Sequence, residues 1–123
     1  MTSAQETVER YTYEVWNRGD LDLAGSLFAD IVVRHDIGSR TEIARADNIQ
    51  RIRDLRASVS ALEFVLRVVI PGSDGQHVVT VWECHITAID GENQIVSGIE
   101  VFRVIDGRIT EVFNTPQTPG QWG

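Results

Sequence analysis

The sequence predicts an α+β domain, with three helices in the first half of the chain packed on an antiparallel sheet built mainly from the second half. Three observations lead there. Apolar residues recur three to four apart as far as Val59, the spacing of a helix with one buried stripe. From Leu62 onward the pattern turns strand-like, with runs rich in Val, Ile, Leu and Phe. Short turn sequences (Pro71-Gly72-Ser73-Asp74-Gly75, Asp90-Gly91-Glu92-Asn93 and Asp106-Gly107) divide that second half into hairpins. Helices grouped ahead of antiparallel strands make an α+β fold, not a doubly wound α/β one. A chain of 123 residues suits one domain spanning 1–123.

The first helix is expected over roughly Ala4 to Asn17, with Val8, Tyr11, Val15 and Trp16 on its stripe. Arg18-Gly19 ends it, glycine being the residue that most readily turns a helix end. Asp20 can then cap a second helix through Ala29, its inner stripe Leu21, Ala24, Leu27 and Phe28. Ile31 to Asp36 reads as a short strand and Gly38 to Thr41 as a turn. A third helix is expected over Arg45 to Ser58, with Ile49, Ile52 and Leu55 on its stripe and Val59 continuing it. Four strands follow in a meander: Leu62–Ile70, His77–Ile89, Ile95–Ile105 and Arg108–Asn114. The tail from Thr115 to Gly123, with two Pro and two Gly, reads as irregular.

The net charge of −7 argues against a nucleic-acid role resting on a broad basic surface. All eleven basic residues are Arg, which excludes lysine Schiff-base chemistry and the P-loop lysine. No apolar run reaches the length of a membrane span, and no basic-then-apolar leader opens the chain. One cysteine, Cys84, forms no intrachain disulfide, and a reduced, cytoplasmic setting is expected. His35, His77 and His85 lack metal-ligand spacing, so no metal or other cofactor is expected. The Arg set Arg45, Arg51, Arg53 and Arg56 reads as a solvated helix face, the alternative being contact with a phosphate- or carboxylate-bearing ligand.

The run VERYTYEVWNRGDLDLAGSLFADIVVRHD and the closing VSGIEVFRVIDGRITEVFN resemble the nuclear transport factor two-like superfamily, in its SnoaL-like and ketosteroid-isomerase-like branch. The resemblance covers nearly the whole chain; NRGDLD, LFAD and VFRVIDGRI carry it. It implies a cone: a curved antiparallel sheet wrapped around the helices, enclosing one apolar pocket. It also implies a small cofactor-free enzyme acting on an apolar, polycyclic or terpenoid-sized molecule by general acid–base chemistry. Isomerases, polyketide cyclases and related lyases or hydrolases are the activities it suggests. The alternative is a non-catalytic ligand-binding or dimeric assembly module, since this fold hosts many functions.

Asp36 follows LFAD at the distance of the ketosteroid-isomerase base, so the resemblance makes it a proton shuttle. The plain reading is an Asp that starts the turn at Ile37-Gly38. Glu100 precedes Val101-Phe102-Arg103, matching the neutral acid of the isomerase oxyanion hole, one methylene longer. Its strand is apolar on both faces, where an unpaired carboxylate is costly; the plain alternative is an ion pair with Arg103 or Arg67. Tyr11 and Tyr13 are candidates for an inward-facing tyrosine, although in register Thr12 falls at the isomerase position. Strand alternation puts Arg34 beside Asp36 and His35 on the opposite face. If Asp90–Asn93 is a four-residue loop, Ile89 pairs with Gln94. Glu83 then lies opposite Glu100, and His85 joins them on the same face. A slip of one residue puts Trp82 and Cys84 there instead. His85 would assist acid–base work near neutral pH. Phe102 and Asn114 complete the expected ligand-binding set.

The partners expected are thus an apolar small molecule, no nucleic acid and no membrane. A homodimer is expected too, because the helices cover one sheet face while the strands are apolar on both. The competing reading has the C-terminal tail, with Trp122, folding over the outer face.

Overall fold

The computed structural model describes residues 2–123. Ser3 caps the first helix, α1 (Ala4–Arg10), by accepting the Glu6 N–H at 3.1 Å. The helix does not run on unchanged to Asn17. Over Tyr11–Trp16 it widens into a π-turn, closed by Asn17 N–H donating to Thr12 O at 3.2 Å. An inserted turn of this kind re-aims side chains and is frequent at functional sites. Here it buries Tyr11, Thr12, Val15 and Trp16 together. The Asn17 side chain then fastens the turn to the sheet, donating to Phe64 O at 2.9 Å and accepting Phe64 N–H at 2.7 Å.

Gly19 takes φ 75°, and Asp20 caps α2 (Leu21–Leu27) by accepting Leu23 N–H at 3.1 Å. The strand that follows, β1 (Phe28–Asp36), is longer than expected. The stretch read as a turn is a second strand, β2 (Ser39–Ala44), hairpinned to β1 through Ile37-Gly38. Its side chains are mostly exposed, so no apolar alternation marked it. The third helix, α3 (Arg45–Ala57), buries Asn48 and Ile52.

The meander is β3 (Ala61–Pro71), β4 (His77–Thr87), β5 (Asn93–Ile105) and β6 (Arg108–Asn114), with Asp106 and Gly107 both at positive φ in the last turn. A two-residue strand, β7 (Thr118–Pro119), pairs with β5 beyond the end of β6. The sheet order is β2-β1-β6-β5-β4-β3. One pairing, β1 with β6, is parallel. The sheet is therefore mixed rather than purely antiparallel, because β1 arrives from the helical half and joins the meander's edge. Three helices pack on this open sheet in an α+β arrangement. The core lies between them, around Val8, Val15, Leu27, Phe28, Ile52 and Ile109. Among the described residues, no helix is long and apolar enough to cross a membrane.

One register differs from expectation and decides the site. Ile89 does not pair with Gln94. Ala88 N–H turns to donate to Glu92 O at 2.8 Å, Gly91 takes φ 91°, and Thr87 pairs with Asn93. The loop holds five residues, not four. An odd slip exchanges the two faces of a strand. Thr80 consequently lies opposite Glu100 and Trp82 opposite Gly98, on the face the helices cover. Glu83 and His85 face the other way.

Candidate active site

The inner face of the sheet, the π-turn after α1 and the C-terminal half of α3 line a two-lobed cavity, each lobe of about 130 Å³. The first lobe is polar at its base. Arg34 of β1, Thr80 of β4, Glu100 of β5 and Asn114 of β6 line it, with Tyr11 above and Arg51 reaching in from α3. The second lobe is apolar and includes Leu62, Cys84, Ile86 and Val96. Trp16, Phe64, Trp82, Leu55 and Gln117 belong to both lobes and form the waist between them. A cavity the size of one lobe suits a single ring. A ligand filling both would be elongated, polar at one end and apolar at the other.

Glu100 is the unusual group. Its register partners are Thr80 on one side and Asn114 on the other, so it sits mid-sheet with no water-facing neighbour strand. Among the described residues no cation lies within 4.0 Å of its carboxylate. Arg103 turns instead to Gln76, and Arg67 to Glu83. Loss of water around Glu100 is the main influence and pushes its pKa up to about 7; Arg34 and Arg51 pull the other way, and Asp36 adds to the rise. A carboxyl so poised both takes and gives a proton near neutral pH. Tyr11 is 7% exposed, and burial raises its pKa, so its hydroxyl stays protonated.

Arg34 and Asp36 share a face of β1, with Arg34 Nε 3.6 Å from Asp36 Oδ2. Asp36 is exposed at the end of the strand, where it pairs with Ser39 across the tight turn. It does not line the cavity: it sits beside Arg34, which does, and borders a separate hollow with Asn114, Thr115 and the outer-face residues Ile99, Val101 and Phe113. Arg34 thus meets Asp36 and lines the same pocket as Glu100 without touching its carboxylate.

Three of the expected site residues lie elsewhere. Tyr13 is on the rim, 39% exposed, its hydroxyl accepting Leu66 N–H at 3.3 Å. Glu83 and His85 stand on the outer face because of the five-residue loop. There Glu83 is buried beneath the C-terminal tail. It accepts from His85 Nε2 at 2.6 Å and Gln121 Nε2 at 3.0 Å, with Arg67 Nη1 at 3.2 Å. Burial opposes the charge, but those partners together outweigh it and hold the carboxyl below the usual range. The Glu83–His85 pair fastens the tail instead of facing the ligand cavity. Trp122 crosses the same face and donates Nε1–H to Trp82 O at 2.8 Å. Phe102 packs in the core and also touches the first lobe, with its ring 5.8 Å from that of Tyr11.

The waist and Arg51 were not foreseen. Arg51 is held by Asn48 Oδ1 at 3.1 Å and lies over the Trp16 ring at 5.8 Å, so it is part of the pocket rather than a solvated face. Arg56 likewise turns inward and donates to Trp16 O. The signal for Trp82 and Thr80 was the alternative register of β4. Cys84, in the apolar lobe, is buried and its thiol is pushed up to about 11, far from a reactive thiolate. Among the described residues no group of three potential metal ligands occurs.

Three helices on an open mixed sheet define an α+β architecture that other solved structures share. Residues 8–112 match the family model described as SnoaL-like domain, and the chain belongs to that family. No curated protein matches it significantly. Several solved structures share the fold. A proposed polyketide cyclase of Acidithiobacillus ferrooxidans is 24% identical, with a TM-score of 0.78 over 98% of this chain and 89% of that one. An LEH-like epoxide hydrolase of M. tuberculosis is 23% identical, with a TM-score of 0.75 over 91% and 80%. IdmH of Streptomyces antibioticus, also a proposed polyketide cyclase, is 20% identical, with a TM-score of 0.78 over 94% and 92%. At these identities the likeness shows the fold alone.

Proposed function

We propose that this protein is a cofactor-free enzyme that moves a proton within a small, largely apolar carbonyl compound, and that Glu100 carries the proton. The observation behind this reading is the environment of Glu100: a half-buried carboxyl on the pocket wall, its pKa drawn up to about 7, with two guanidinium groups close but not in contact. In its ionised form Glu100 takes a proton from the carbon next to the carbonyl. The negative charge then passes to the carbonyl oxygen. Arg34, Arg51 and the neutral Tyr11 hydroxyl supply positive potential there without reorganising, the setting in which such charge is most strongly stabilised. Glu100 returns the proton to a second carbon or to the oxygen. Asp36 stands beside the cavity and keeps Arg34 oriented. The two lobes suit an elongated form of the apolar molecule expected from the resemblance, about one ring per lobe.

A second reading rests on the Asp36–Arg34 pair beside Glu100. One carboxylate would hold and deprotonate water while the other acid protonates a leaving oxygen, opening a strained cyclic ether. Deuterium exchange separates the two. With butyrophenone in D₂O, proton transfer predicts catalysed exchange of the hydrogens beside the carbonyl. Replacing Glu100 by Gln should slow it by ~10²–10⁴-fold, and Asp36→Asn should slow it less. Diol formed from styrene oxide, with no exchange into the ketone, would select the second reading. Ligand binding without either reaction would leave a binding module.

The homodimer belongs here as well. Ile99, Val101 and Phe113 on the outer face, continued by Val68 and Ile70 on β3, remain partly exposed beside the tail. The tail covers only the part of that face around Glu83. The rest would be covered by the same face of a second copy. A buried thiol of low reactivity and the absence of any disulfide fit a cytoplasmic setting.

A further inference from the structure

Trp82 stands at the waist between the lobes and is 7% exposed. Its Nε1–H is buried, and among the described residues nothing accepts from it. Buried indole N–H groups ordinarily find a partner, because leaving one unmade costs about 1–3 kcal/mol. The backbone has made room for this ring. Gly98 is its cross-strand partner, and a Cβ there would come within 2.8 Å of Trp82 Cζ2 and 3.3 Å of Nε1. The missing side chain lets the indole lie against β5, with its nitrogen edge over the glycine. Phe64 braces the ring from β3, with centroids 5.4 Å apart. The placement is thus fixed on two sides while the donor is left unused. Asn114 Oδ1, on the wall of the polar lobe, is buried and unpartnered in the same way.

We propose that Trp82 Nε1–H is a specificity-determining donor to a ligand oxygen at the waist, so that the ligand carries its carbonyl or ether oxygen where a polar half meets an apolar half. This rests on the cavity being the ligand site, as in the proposed function, but not on Glu100 being its base. Asn114 Oδ1 would accept from a hydroxyl on the polar half. The inference adds a chemical class: an aryl or cyclic ketone with an apolar extension, rather than a hydrocarbon or a molecule charged at its centre.

Butyrophenone and butylbenzene test it, since they share shape and differ by the oxygen between ring and chain. Calorimetric titration should show the ketone binding ~5–10-fold tighter, the worth of one neutral hydrogen bond. Trp82→Phe should bring the two affinities together, and the readout is their ratio, because the lost ring surface acts on both ligands alike. A ketone preference undiminished in Trp82→Phe would overturn the proposal and leave the pocket reading intact. Failure of both probes to bind the wild-type protein would overturn both. Should the variant not fold, the indole N–H resonances of the native protein decide. The Trp82 signal should move downfield with butyrophenone and not with butylbenzene, and a signal unmoved by bound ketone overturns the assignment.

Discussion

Replacing Glu100 by Gln should stabilise the fold at neutral and alkaline pH, and the size of the gain should depend on pH. The carboxyl titrates near 4.5 when exposed and near 7 in the pocket. A raised acid favours its protonated form in the folded state. Below pH 4.5 both states are protonated and the group contributes no difference. As pH rises past 4.5 the unfolded chain ionises freely while the folded chain does not, so native stability falls until the folded carboxyl also ionises near 7. The shift of about two and a half units corresponds to a ceiling of about 3 kcal/mol. Between about pH 5 and about pH 8 the change amounts to roughly 2–2.5 kcal/mol. Glutamine keeps the shape and removes the titration. Urea unfolding of both proteins at the two pH values reads the effect: the variant's midpoint should exceed the wild type's by roughly 1 M at the higher pH, given typical slopes, and by much less at the lower. A stability difference that does not change with pH would refute the account of Glu100 as a desolvated, unpaired acid.

Other consequences follow from the same contacts. Gly98→Ala should cost about 1–3 kcal/mol, since the new methyl meets the Trp82 ring; thermal unfolding measures it, and a neutral substitution would show the indole is free to move. Removing residues 121–123 takes away the Gln121 bond to Glu83. Glu83 is held below its ordinary range, so its contribution is present above about pH 4.5 and fades as pH falls through the folded value. The truncated protein should therefore be less stable at neutral pH, and the difference should shrink on acidification. Phe113→Asp should disrupt the proposed dimer. Sedimentation equilibrium should find twice 13.8 kDa for the native chain and 13.8 kDa for the variant, and a native monomer would contradict the pairing.

Period and turn chemistry made most of the fold legible. Asp20, Gly19 and the Asp106-Gly107 turn act through their own backbone preferences, so each is readable locally. Alternation alone placed Arg34 with Asp36. The π-turn was invisible because Tyr11, Thr12, Val15 and Trp16 fit an ordinary helical stripe closely enough. β2 was missed because its residues are exposed on both faces and carry no pattern. The harder failure was the β4–β5 loop. Ile89 is apolar and looked like a strand end, yet it is 70% exposed. Loop length sets the parity of every pair behind it, so one misjudged residue carried Glu83 and His85 to the wrong face and left Trp82 and Cys84 as the alternative. Arg51 was misread for a different reason: whether a helical Arg faces water depends on what the sheet brings opposite it.

The central claim concerns one carboxyl, and carbon-13 NMR of the Glu100 side chain, titrated across the neutral range and assigned by Glu100→Gln, tests it most directly. The account predicts a midpoint near 7. A midpoint at or below the ordinary 4.5 would show a solvated or ion-paired group, and Glu100 would not be the proton carrier of this pocket.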